Sequence, residues 1–191
     1  TLNISGLIHL KNNSGKLVIS PIYAKNINGT IKFDNLDWNA DITGMIGTAK
    51  FIANGGTHDK IMSMKISADS LKTDELLELL NNSENKKLIS LPKTNSLITF
   101  NGEYKSKAND FDLKNLKARG AFKPISSSNN SPFSIQSGSF KLEKGNAELL
   151  NFNAKLYNSN LFISGKCEHL FSNNPVYTYK SVSYTHLRAH E

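Results

Sequence analysis

Apolar and polar positions alternate with period two along most of this chain. Ile27, Gly29, Ile31 and Phe33 alternate with Asn28, Thr30, Lys32 and Asp34, and after a phase slip at Asn35 the pattern resumes as Leu36, Trp38, Ala40 and Ile42. It returns as Met62, Met64, Ile66 and Ala68, then as Ile98, Phe100, Gly102 and Tyr104. Further on come Gly138, Phe140 and Leu142, then Leu150, Phe152, Ala154 and Leu156, and last Leu161, Ile163, Gly165 and Cys167. Side chains two apart on a strand point the same way, so each segment has one apolar side and one wet side. Asn- and Gly-rich runs stand between them: NNSG at 12–15, NGG at 54–56, EKGN at 143–146 and YNSN at 157–160. Asn and Gly tolerate the positive φ that tight hairpins need, so these runs predict turns and an antiparallel meander. The predicted fold is mainly β.

One segment departs from period two. SLKTDELLELLNN offers Thr73 as an N-cap, Asp74 and Glu75 in a first turn, and Leu76, Leu77 and Leu80 on one side. This predicts a single short helix near 73–81. A helix of that length is unstable alone in water, so its leucines must rest on the sheet. Two longer polar breaks, at 81–95 and 123–132, read as exposed loops. The expected organisation is a β-meander block over 1–82 ending in the helix, a linker over 83–95, and a second meander block over 96–180.

Charge alters this picture little. The formal net charge is +7, but Arg119 and Arg188 are the only arginines, and bidentate phosphate or base readout favours arginine. Lys32, Lys50, Lys65, Lys105, Lys117, Lys141 and Lys155 recur singly along the strands, as on the solvated face of a sheet. Nucleic acid is therefore not an expected partner. Cys167 is the only cysteine, so an internal disulfide is excluded. Cys167 and His169 lack a second ligand pair for a zinc site. Asp37 and Asp41 take the polar phase of a strand without calcium-loop spacing. His9 and His58 stand singly. No nucleophile elbow, HExxH, CxxC, P-loop or GxGxxG is present, so the expectation is a non-enzymatic protein without catalytic residues, metal or cofactor.

The final residues need separate treatment. His186 and His190 stand four apart beside Arg188 and Glu191 in SVSYTHLRAHE. Back-translated, Val182 to Glu191 resembles the end and flank of a transposase-type sequencing adaptor read through in one frame. That resemblance implies a non-native tail over 181–191, excluded from fold and function. The chain also opens inside a strand-like alternation without an initiator methionine. No run reaches the roughly 18–20 apolar residues that span a bilayer. The expectation is an internal fragment of a longer protein.

Several stretches resemble the AsmA-like family, which includes TamB- and YhdP-type proteins of the bacterial envelope. They are SGLIHLKNNSGKLVISPIYAKNINGTIKF, GMIGTAKFIANGG, MKISADSLKTDELLELL and SGSFKLEKGNAELLNFNAKLYNSNLFISGK, covering roughly 2–82 and 96–170. The resemblance implies a long curled antiparallel meander sheet with an apolar inner face. It also implies a periplasmic location, with an inner-membrane anchor on an N-terminal segment outside this piece. The implied partners are phospholipid or other lipid acyl chains, and membranes reached through parts outside the fragment. The implied function is to shield or conduct acyl chains during phospholipid transport and outer-membrane assembly. The groove-facing candidates are then Ile31, Phe33, Trp38, Ile42, Met62, Met64, Ile66, Phe100, Tyr104, Phe140, Leu142, Phe152, Leu156, Leu161 and Ile163. Periodicity alone also fits the closed core of a β-sandwich, as in a structural or adhesive surface protein.

Overall fold

A computed structural model describes residues 4–16, 23–73, 75, 96–110, 112–125, 133–157, 159–172 and 174–184. The strands are β1 (Ser5–Lys16), β2 (Tyr23–Asp34), β3 (Asp37–Ile46), β4 (Ala49–His58), β5 (Ile61–Lys72) and β6 (Ser96–Lys107). They continue as β7 (Leu116–Pro124), β8 (Phe133–Glu143), β9 (Asn146–Leu156), β10 (Ser159–Glu168) and β11 (Val176–Tyr184). All eleven form one antiparallel sheet in sequence order, and the sheet does not close. At about 4.8 Å per strand it is roughly 50 Å across. The mainly β meander read from the alternation is the fold observed.

The turns follow local chemistry. Asp59 and Lys60 both adopt positive φ between β4 and β5, as do Lys144 and Gly145 between β8 and β9. Two consecutive left-handed residues match the twist of the flanking strands and make a two-residue hairpin. EKGN is indeed a turn, and Tyr157 of YNSN, with positive φ, lies in the connection between β9 and β10. NNSG and NGG are not turns. NNSG lies inside β1, where Asn12 takes φ 52° and the register slips twice. NGG lies inside β4, where Gly55 takes φ 152° and a side chain on Gly56 would run into the Trp38 carbonyl. There the glycines serve close backbone approach within the sheet, not reversal.

The two expected meander blocks are joined without a seam, since β5 and β6 pair from Ile61↔Lys107 to Lys72↔Leu97 across one bulge. Of the predicted helix only Thr73 and Glu75 are described, and the predicted linker lies outside the described residues. The strand pattern continues into the adaptor-like tail, because β11 pairs with β10 as far as Tyr184↔Asn160.

Register fixes which side chains share a face. One face carries Ile31–Ala40–Gly55–Met64–Tyr104–Leu116 as one cross-strand row. Another row on it reads Gly44–Phe51–Ala68–Phe100–Gly120–Phe140–Leu149–Gly165–Tyr179. Large and small residues alternate, so rings lean over neighbouring glycines: Phe51 over Gly44 and Phe140 over Gly120. Such tiling lets a sheet bend toward a face without crowding it. Consistent with bending, β6 and β8 come within 8 Å at Cα although two strand spacings would separate them by about 9.6 Å. The buried residues of the strands all lie on this face, most of the apolar ones in two clusters. One centres on Ala24, Ile46, Ala49, Phe51, Ala53, Ala68 and Leu71, the other on Ile135, Phe152 and Ala154.

A sandwich needs a second sheet stacked about 10 Å away. The described strands supply only one.

Candidate functional site

The register places every groove candidate on the same face. Phe33 pairs with Trp38, Gly29 with Ile42, and Thr57 with Met62. Ile66 pairs with Gly102, Ala68 with Phe100, and Met64 with Tyr104. Across the second part, Ala118 pairs with Leu142, Gly120 with Phe140, and Phe133 with Leu156. Phe152 pairs with Ile163 and Ala154 with Leu161. Most of these side chains are half-buried, and Leu156 is exposed.

Two of them are less available than the rest. Tyr104 is buried, and its hydroxyl accepts the Asp112 backbone N–H at 3.0 Å, from the β6–β7 connection that folds back on it. Phe152 is buried against Phe122, edge to face at 5.4 Å between ring centroids. Leu150, grouped by simple alternation with Phe152, belongs to the other face. Asn151 takes φ 48°, the register slips beside it, and Leu150 pairs with Ser139 while Phe152 pairs with Ile163. A bulge shifts the phase by one residue, which period-two reading cannot detect.

Among the described side chains of the strands, not one Asp, Glu, Lys or Arg lies on the apolar face. The buried hydroxyls there are satisfied locally. Thr57 accepts from Trp38 N–H at 3.1 Å and donates to the Leu36 carbonyl at 3.0 Å. Ser96 and Thr73 hydroxyls bond each other at 3.2 Å, and Ser106 donates to the Lys107 carbonyl at 2.9 Å. A face on which the described strands place no charged side chain can hold hydrocarbon without leaving a charge unpaired.

The charges occupy the opposite face. Lys65 meets Glu103 at 3.7 Å and Lys166 meets Glu148 at 3.5 Å. Glu143 is held by Lys141 at 2.6 Å and Lys117 at 3.4 Å. The hydrogen bond from Lys141, then that from Lys117, lowers its carboxyl below the ordinary value. Lys32, Lys50, Lys105 and Lys155, singled out in the sequence, are also exposed on this side.

His58 is not solitary. Its Nδ1 lies 3.3 Å from Asp37 Oδ2 across the β3–β4 ladder, and its Nε2 lies 3.4 Å from Asp59 Oδ2 in the following turn. These three groups could converge on a metal ion, but the His58 and Asp59 side chains are 87% exposed. They form a solvent-facing ion-pairing group at the rim. The pairing of Asp37 with His58 depends on strand register and is invisible in the linear sequence.

The apolar face holds one further feature that alternation missed. Between β8 and β11 lies a hollow of about 380 Å³, lined by Phe140, Ala147, Leu149, Ile163, Gly165, Cys167, Tyr177 and Tyr179 among others. Cys167 is buried in it, and burial raises its thiol pKa against a smaller lowering by the Tyr177 hydroxyl. The alternation Tyr177–Thr178–Tyr179 was the available signal in the sequence. No family model, curated protein or solved structure matches the chain.

Proposed function

We propose that this chain is a non-enzymatic segment of an AsmA-like cell-envelope protein that shields or conducts lipid acyl chains along its apolar β-face. The location that goes with this reading is the periplasm, with membrane anchorage through parts outside the segment. One observation carries the proposal: a single open layer whose buried apolar residues share one face on which the described strands place no charged side chain. Exposing hydrocarbon to water costs about 0.8 kcal/mol per CH2, on the order of ten kcal/mol for a whole chain. A continuous apolar surface removes that cost along its length without any specific polar contact. The family resemblance of the sequence points the same way.

The test is binding of a fluorescent phospholipid to the purified protein. Binding is expected for the wild type and lost on Phe33→Asp, Ile66→Asp and Ile163→Asp, each checked for retained β structure by circular dichroism. Equal binding by folded variants, or no lipid recovered by mass spectrometry after purification from cells, would remove the proposal.

A further inference from the structure

The apolar face is not uniform: between β8 and β11 it leaves an open hollow of about 380 Å³ with an almost wholly apolar lining. Its floor consists of small residues brought together by register. Ala147 pairs with Cys167, and Leu149 pairs with Gly165. Phe140, Leu149 and Ile163 rise on one side. On the other, Tyr177 and Tyr179 pair with Cys167 and Gly165 and are 58% and 75% exposed. Glu148, Lys166 and Thr178 also border the space, but the register turns their side chains to the opposite face.

We propose that this hollow is the seat of one acyl chain of a phospholipid, with Tyr179 at its mouth. This rests on the reading of the apolar face as a lipid surface and adds where on it a tail is held. Three observations fix the occupant. About 380 Å³ is at the small end of ligand pockets, which suits a single tail and not a whole lipid. The strands place no cation on this face, so nothing there grips an anionic headgroup and the hollow contacts the hydrocarbon tail alone. Tyr179, largely exposed with an apolar ring and a polar tip, sits where an ester-linked tail passes from apolar to wet surroundings, while the Tyr177 ring lies along the hollow with its hydroxyl turned to Cys167. The headgroup stays in water beyond Tyr179.

The chain contains a single tryptophan, Trp38, on the same face but at the far side of the sheet. This permits a two-position comparison by fluorescence quenching. The probe is a diacyl phosphatidylcholine brominated at mid-chain, presented to wild type and to the double variant Trp38→Phe, Tyr179→Trp. Quenching several-fold stronger at position 179 than at Trp38 is expected. Comparable quenching at both sites, or stronger quenching at Trp38, would overturn the seat while leaving lipid binding intact. Absence of quenching at both, with no lipid bound, would overturn the broader reading as well. A brominated free fatty acid that quenches position 179 when the phospholipid does not would reject the phospholipid as occupant. In an otherwise wild-type chain, bound phospholipid should slow alkylation of Cys167 by iodoacetamide several-fold, and an unchanged rate would count against the seat. The variant Cys167→Leu, which fills the floor, should lose tail binding at this end while circular dichroism stays unchanged. Undiminished quenching in a folded Trp38→Phe, Tyr179→Trp, Cys167→Leu chain would also reject the assignment.

Discussion

The two ends of the sheet treat the same apolar face differently. From β2 to β6, Ile46, Phe51 and Leu71 are buried in one cluster with Ala24, Ala49, Ala53 and Ala68. From β8 to β11 the buried cluster is smaller, and Ala147, Gly165 and Cys167 lie at the floor of an open hollow beside exposed tyrosines. One end uses its side chains to stabilise a single-layer sheet. The other leaves surface for something else. A sheet without a second layer must balance these demands, because each apolar group that covers a neighbour is one fewer available to a ligand.

Substitutions can break that contrast. The largest effect is expected from Phe51→Ala, which removes the ring that covers Gly44 and packs the first cluster. It should cost about 3 kcal/mol in urea unfolding, far more than Tyr179→Ala. Next comes Gly56→Ala, whose new methyl would meet the Trp38 carbonyl and should cost about 2 kcal/mol in the same assay. Tyr179→Ala should change stability by under about 1 kcal/mol, because the ring is largely exposed. A loss comparable to that of Phe51→Ala would show that the second end is equally self-supporting.

The smallest expected effect is electrostatic and belongs to the polar face. Glu143 has its carboxyl lowered by Lys141 and Lys117. Its contribution is therefore present above the unfolded carboxyl pKa, near 4.3, and is lost as pH falls through the lower folded value. Lys141→Met should flatten the acid side of the stability profile in that window and leave the neutral region nearly unchanged. A profile that keeps its shape would assign the pair no role.

The fold was legible because period two is a direct readout of strand geometry, and each groove candidate from Ile31 to Ile163 shares one face. What stayed hidden has local causes. The bulge at Asn151 moved Leu150 to the wet side, and the slips in β1 absorbed NNSG into a strand. The hairpin turns Asn35–Leu36 and Asp59–Lys60 lack the Asn-Gly chemistry that marks turns, with Leu36 85% exposed. β7 carries the same alternation, Leu116, Ala118, Gly120 and Phe122 against Lys117, Arg119 and Lys123, but two of its four face positions are small, and Gly120 lies under the Phe140 ring. The candidate face could be read from composition, but the hollow could not. It arises from pairing Ala147 with Cys167 and Leu149 with Gly165 across strands whose residues are well separated in sequence.

The segregation of charge gives this sheet the character of a surfactant. Where oil meets water it has one favourable orientation, lysines outward and aromatic rings inward, and turning it over would immerse its strand charges in a nonpolar phase. Such a molecule should gather at air–water and oil–water boundaries at concentrations where ordinary globular proteins remain dispersed, and should lower interfacial tension as it does so.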